Sequence, residues 1–426
     1  MRTISLFLII LLFSSHSYSQ EDNATQQDIF LEAEYFLLNE DYTEALNLYL
    51  QLYEKLPENA NLSHCIGICY LNIQGKKDKA IDYLERATGK MSASHKEGTI
   101  TQTAAPYEAL YNLAKAYRIN FMFDKAIQTF QKYNETLLPD DKENRDFIEH
   151  EINVCKGAGK MLEKPVQFSE ENMGEIFNDD NPDFNPVISA DGKTFAWMVS
   201  LKFYDAVMLS RFVDDKWTAP VNITSELQSD GDFYLSSLSS DGKTLLLSKN
   251  DNFNSDIYIS NYNGTIWSKA EKMNRNINTK YWESQGFISN DGRFLIFSSD
   301  RPGGYGGLDL YISAKSNGEW GVAVNMGPGI NTQFNEDRPV MTNEGKKLYF
   351  SSQGHEGLGG YDFFVAESKP DQTWSKPVNL GYPINTPDDN FFFYPSENGD
   401  IAYYSTVKDS GGFGKEDIYT VTFEKK

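Results

Sequence analysis

Cysteine is scarce in this chain of 426 residues: Cys65, Cys69 and Cys155 are too few for a disulfide framework. Cys65 and Cys69 stand one helical turn apart beside His64, so three readings stay open: buried free thiols, a disulfide, or a metal pair. Histidine is as thin, five in all with one inside the first twenty residues, which leaves little for an imidazole metal site. There is no Gly-x-Ser-x-Gly elbow, no His-Glu-x-x-His, no Cys-x-x-Cys and no Gly-x-x-x-x-Gly-Lys-Ser/Thr phosphate cradle. No cofactor, metal or catalytic residue is expected.

Positive charge is in deficit, 39 Lys and Arg against 61 Asp and Glu, so phosphate backbones and bare anionic membranes are poor partners. Apolar runs are short. The run from Ile4 to Phe13, with Arg2 before it and small polar residues after it, reads as a secretory signal over residues 1–20, cut near Ser19 or Gln20. No cysteine stands at that cut to take a lipid anchor, and no later stretch reaches the roughly 18 apolar residues of a spanning helix.

What is present is repetition. Tight-turn pairs at Asp191-Gly192, Asp241-Gly242, Asp291-Gly292, Glu344-Gly345 and Asn398-Gly399 recur at spacings of 50, 50, 53 and 54 residues. Each turn supplies positive φ between two extended runs and so joins the first and second strands of a unit. Near-continuous apolar second strands follow, such as Phe294-Leu-Ile-Phe-Ser298, then third strands opening at Asp205, Asp256, Asp309, Asp362 and Asp417. Outer strands carry Trp217, Trp267, Trp320 and Trp374. Units of this length with several strands each indicate a β-propeller. The fifth unit stops before its Trp strand, while Lys164-Pro-Val-Gln-Phe168 matches Lys376-Pro-Val-Asn-Leu380, so the N-terminal strand is expected to complete the last of five blades. Six blades stay open if residues 169–182 add strands of their own.

Residues 21–162 change to helical spacing. Ala33, Phe36, Ala45, Tyr49, Leu52 and Pro57 fall where a tetratricopeptide repeat places its small residues, aromatic knobs and terminating proline, and Leu110, Leu113, Ala114, Tyr117, Ala126 and Phe130 repeat the set. Gly67, Tyr70, Ala80, Leu84 and Ala87 form a weaker copy, followed by a polar insertion at about 89–104. Three helix pairs and a capping helix near 142–161 are expected, followed by a propeller over residues 163–426.

The stretch Ser289-Asn-Asp-Gly-Arg-Phe-Leu-Ile-Phe-Ser-Ser299 resembles the WD40-like repeats of TolB-type propellers. The glycine-rich loop at 299–311 and the Ile-Asn-Thr triplets at 277–279, 330–332 and 384–386 resemble a subset found in Gram-negative envelope proteins. In that subset helical repeats precede the propeller and an OmpA-like peptidoglycan-binding domain often follows it. The sequence stops at Lys426, so anchoring to peptidoglycan by that route is not expected. The resemblance implies a periplasmic or outer-membrane-associated role alongside secretion or gliding machinery or cell-wall organisation.

Two residue sets are candidate interaction sites. Asp183, Asp232, Glu283, Glu336 and Asp389 each precede a first strand, eight or nine residues before its turn. They read as a repeated structural device bonding loop amides, as a cation or ligand site at the channel mouth, or as the paired acids of a propeller glycosidase. Tyr305, Leu358 and Phe413 sit at similar places in the glycine-rich loops and are expected as apolar tips on one face. The expectation is a non-enzymatic, exported scaffold binding other envelope proteins. Its rivals are a carbohydrate- or cation-binding propeller and a glycosidase.

Overall fold

The computed structural model describes residues 25–251, 254–342, 344–408 and 411–423, so the leader expected at 1–20 lies outside the described residues. The chain divides into two compact units, Met1–Cys155 and Lys156–Lys426.

Seven helices are described before the strands begin: α1 (25–38), α2 (Tyr42–Lys55), α3 (Ala60–Asn72), α4 (Ala80–Thr88), α5 (Glu108–Ile119), α6 (Phe123–Thr136) and α7 (Lys142–Leu162), which runs on past Cys155. Asp41 caps α2 by accepting the Glu44 amide, and Asn59 caps α3 by accepting the amides of Asn61 and Leu62. The expected small residues are the contact points: Ala33, Ala45, Ala80, Ala114 and Ala126 are wholly enclosed, and a Cβ on Gly67 would stand 2.5 Å from Leu84 Cγ. Tyr49, Leu52, Phe30 and Phe130 fill the gaps between them. Arg118 of α5 and Glu151 of α7 form a buried ion pair at 2.5 Å, which ties the last helix to the stack.

The polar insertion is held down at several points. Gln27 donates to the Gly98 carbonyl and accepts the Ile100 amide, Asn59 donates to the Ile100 carbonyl, and Ile100 itself is buried. It therefore runs along the N-terminal ends of α1 and α3.

The second unit is a ring of five antiparallel sheets. Blade 1 is Asp183–Ile188, Thr194–Ser200, Asp205–Val213 and Val221–Asn222; blade 2 is Phe233–Leu238, Thr244–Asp251, Asn254–Asn261 and Glu271–Lys272. Blade 3 is Glu283–Ile288, Phe294–Ser299, Asp309–Ser316 and Val324–Asn325; blade 4 is Glu336–Thr342, Lys347–Ser352, Asp362–Glu367 and Val378–Asn379. Blade 5 is Phe393–Pro395, Ile401–Thr406 and Asp417–Phe423, closed by Phe168–Asn172 in register Phe168↔Phe423. The second strands bury Phe195, Trp197, Leu247, Ile296 and Phe350 between neighbouring blades.

The ring has five blades, and the closing strand lies five residues later than the Lys-Pro-Val match suggests: Asn172, not Gln167, is the counterpart of Asn379. Asn379 Nδ2 donates to Asp362, Asn325 Nδ2 to Asp309, and Asn172 Nδ2 to Asp417, so side-chain bonding to the third-strand aspartate sets the register. The tryptophans differ from expectation too. Trp217 and Trp320 lie in two-residue pairings at the far end of the third strand, and the outer strand proper is the Val-Asn pair that follows.

The Ile-Asn-Thr triplet links one blade to the next. Asn331 accepts the Leu310 amide and donates to the Leu310 carbonyl, and Asn385 does the same with Phe363. Asn178 holds Ile418 alike, which accounts for residues 169–182 without a sixth blade. Positive φ at the hairpins is confined to the glycine in four of five turns (Gly192, Gly242, Gly292, Gly399), with a serine hydroxyl accepting a following amide. Blade 4 alone has both Glu344 and Gly345 left-handed.

Candidate functional site

Asp183, Glu283 and Glu336 open the first strands of blades 1, 3 and 4 and are 2%, 0% and 0% exposed. Each accepts the amide four residues back, from Asp179, Thr279 and Thr332. Glu283 and Glu336 also accept from Ser299 and Ser352 on their own second strands, and Asp183 accepts from the Trp197 indole. Arg301 reaches Glu283 at 3.1 Å. Its counterpart His355 bonds the Ile330 carbonyl just as Arg301 bonds that of Ile277. Burial pushes Asp183 and Glu336 up to about 7 against the downward pull of these donors.

The other two acids are one residue out of step. Phe233 holds the first-strand opening of blade 2, and in blade 5 Asn390 accepts the Thr386 amide. Asp232 instead pairs with Lys249 and Ser229, while Asp389 accepts the Tyr361 amide. The pin lies eight residues before the turn, and Asp232 and Asp389 lie nine before it. The five acids thus do not occupy one repeated place.

The third-strand aspartates hold the glycine-rich loops in three blades. Asp309 accepts the amides of Tyr305 and Gly306, Asp362 those of Leu358 and Gly359, and Asp417 those of Phe413 and Gly414. Cβ atoms on Gly306, Gly359 and Gly414 would stand 2.2 to 2.3 Å from backbone oxygens of the following interblade segment, which explains the glycines. The tips diverge: Tyr305 and Phe413 are about half exposed, at 51% and 46%, but Leu358 is fully buried, so it is no exposed tip. Phe203, in the corresponding loop of blade 1 and 85% exposed, stands in the solvent.

Where the first strands meet, a narrow recess is lined by Asn185, Ser236, Gln285, Arg338, Phe391 and Phe392, drawn from all five blades. Bulges at Phe184/Val187, Leu235/Ser237, Glu283/Gly286 and Asp337/Val340 break the strand alternation here. No Asp or Glu lines this recess. Sequence reading missed Arg338; the signal was Pro339 inside an otherwise central strand, which marks a bulge.

The three cysteines are buried free thiols, and burial holds Cys69 and Cys155 up at about 12. His64, whose Nε2 accepts from the Asn112 side-chain amide, is pulled down to about 4 by burial. Among the described residues no group of three or more His, Cys, Asp or Glu is arranged for a metal, and no helix is long and apolar enough to cross a membrane.

Residues 66–90 and 108–136 match the family model described as tetratricopeptide repeat. No curated protein matches the sequence significantly. Among solved structures, the chain is similar to TolB from Acinetobacter baumannii at 18% identity and TM-score 0.37, covering 57% of this chain and 55% of that one. The chain thus spans about half the length of that TolB structure. It is similar to the catalytic domain of the Coprinopsis cinerea GH62 α-L-arabinofuranosidase at 11% identity and TM-score 0.38, covering 61% and 98%. The β-propeller domain of the Trilobed protease from Pyrococcus furiosus is similar at 10% identity and TM-score 0.30, covering 58% and 71%. By its helices, its repeat match and its sheet order, the chain is a stack of tetratricopeptide repeats followed by a five-bladed β-propeller.

Proposed function

We propose that the protein is a non-enzymatic, exported scaffold of the cell envelope that holds other envelope proteins, in or near secretion, gliding or cell-wall machinery. The apolar run Ile4 to Phe13 supports export, and the excess of 61 acidic over 39 basic residues argues against nucleic acid as the partner. Repeat stacks and propellers both present broad surfaces of the kind proteins bind.

One observation carries the non-enzymatic part. A glycosidase needs two carboxylates flanking the bond it cuts. Here the recess at the ring's centre is lined by amides, a serine, an arginine and phenylalanines, while Asp183, Glu283 and Glu336 are buried with their oxygens bonded to the protein itself. The exposed Phe203, Tyr305 and Phe413, all in loops between second and third strands and so at one face of the ring, supply a docking surface.

The test is cross-linking in living cells, purification through a C-terminal tag and mass spectrometry of what is recovered. Specific envelope proteins should be recovered, and Phe203→Ser with Tyr305→Ser and Phe413→Ser, or deletion of residues 21–160, should remove defined subsets of them. Recovery of bulk envelope protein alone sinks the scaffold. Glycan turnover abolished by Glu336→Gln sinks the non-enzymatic reading.

A further inference from the structure

We propose that the recess at the centre of the propeller is an anion site in which the Arg338 guanidinium grips the carboxylate of a small monocarboxylic acid with an apolar body. The polarity is the reverse of the cation site at the channel mouth that was one of the readings the sequence left open.

Arg338 is the one charged residue lining the recess. Its Nε is enclosed and has no hydrogen-bond partner, and no salt bridge joins the guanidinium to a carboxylate among the described residues. An enclosed guanidinium donor without a partner is costly unless an acceptor arrives. Burial also pulls this guanidinium below the ordinary arginine range, offset in part by Asp337.

The backbone strengthens the case. Arg338 has φ 54°, a left-handed conformation that favours Gly and Asn, and its counterpart before a proline in blade 1 is Asn185, at φ 51°. Nothing in the backbone calls for arginine at such a place, so the reason lies in the side chain.

The surroundings select the ligand. Phe391 and Phe392 lie 5.3 and 4.6 Å from the guanidinium carbon and pack against it, leaving its N–H edge for a planar, bidentate acceptor. The rest of the lining, Asn185, Ser236 and Gln285, is neutral. Asp337 is adjacent, with its Oδ1 engaged by the Ser284 hydroxyl at 2.6 Å and by the Arg338 amide at 2.8 Å. Its charge disfavours a dianion such as phosphate, whereas one carboxylate matches the single arginine. The phenylalanines provide for an apolar or aromatic body behind that carboxylate.

The full chain would be titrated calorimetrically with benzoate at constant ionic strength, with benzamide and inorganic phosphate as controls. Saturable benzoate binding of about millimolar strength or better is expected, with neither control binding and with at least a tenfold loss in Arg338→Gln. A hydrophobic tripeptide with a free C-terminus, against its amidated form, separates the two sources of such a group. If only the free peptide matches benzoate, the natural ligand is a chain terminus; if neither peptide binds, it is a free small acid. Absence of saturable benzoate binding, or equal binding by Arg338→Gln, overturns the proposal. Should Arg338→Gln fail to fold, Gln285→Ala and Asp337→Asn decide in its place. The first is expected to weaken benzoate and the second to tighten it, and no change in both overturns the site.

Discussion

Glu336 is pulled in two directions. Three donors from Thr332 and Ser352 favour its charge, and complete burial favours its proton. Burial prevails, holding the carboxyl up at about 7 from an ordinary 4.5, and Asp183 rises to about 7 from 3.8 for the same reason. Between those values the native state binds more protons than the unfolded chain, so stability falls as pH rises. The contribution of each acid is full below its unfolded value and is lost as pH passes through about 7. Urea midpoints measured from pH 4 to pH 8 should therefore drop less in Glu336→Gln than in the parent; an identical drop would exclude Glu336 as a source. The chain's spacing pointed to these acids, and it could not separate eight residues from nine, because that difference has meaning only once the turn and the first strand are paired. Arg338 was illegible for a related reason: its place depends on a bulge, and an arginine in a strand reads as one more solvated charge.

The interblade triplets explain how one blade holds the next. Asn331 and Asn385 each satisfy both backbone groups of one third-strand residue while their own side chains are almost fully enclosed. Replacing either with Ala leaves two buried backbone groups unpaired and should cost roughly 2–4 kcal/mol in urea unfolding. A loss no larger than that of an exposed substitution would mean water takes the vacated place. Recurrence of Ile-Asn-Thr was visible in the sequence, but its task was not, since the bonds reach back some twenty residues to another strand. The glycine-rich loops give a sharper contrast. Gly359→Ala would drive a methyl into the Asp388 carbonyl and should destabilise by about 1–3 kcal/mol. At Gly303, with open space around it and φ 94°, only backbone strain of about 1 kcal/mol is expected. Parallel denaturation curves separate the two.

The whole ring depends on a clasp made from opposite ends of the propeller segment. Five blades and a closing N-terminal strand were legible from the repeat count and from the missing fifth outer strand. The register was not, because Lys-Pro-Val recurs as a string at 164–166 while the bonding asparagine is Asn172. Asn172→Ala should therefore weaken the propeller as much as Asn379→Ala does, since both remove a bond to a third-strand aspartate and the support of an interblade asparagine, Asn178 in the one case and Asn385 in the other. In calorimetry the two units are expected to give two transitions, with only the propeller's shifting in Asn172→Ala. A shift of both would mean that the units unfold together.

That clasp also fixes how the ring responds to tension. Phe168 lies opposite Phe423, so the strand that leads in from the helical repeats and the strand that leads out run side by side and leave at the same end. Tension applied between those two exits loads the hydrogen bonds in sequence, the Phe168–Phe423 pair first, and peels the seam open like a zip. A pull from one exit against any other blade would instead load the seam lengthwise, with its bonds sharing the force. A propeller closed in this way yields to a tug along its own chain more readily than to one across its body.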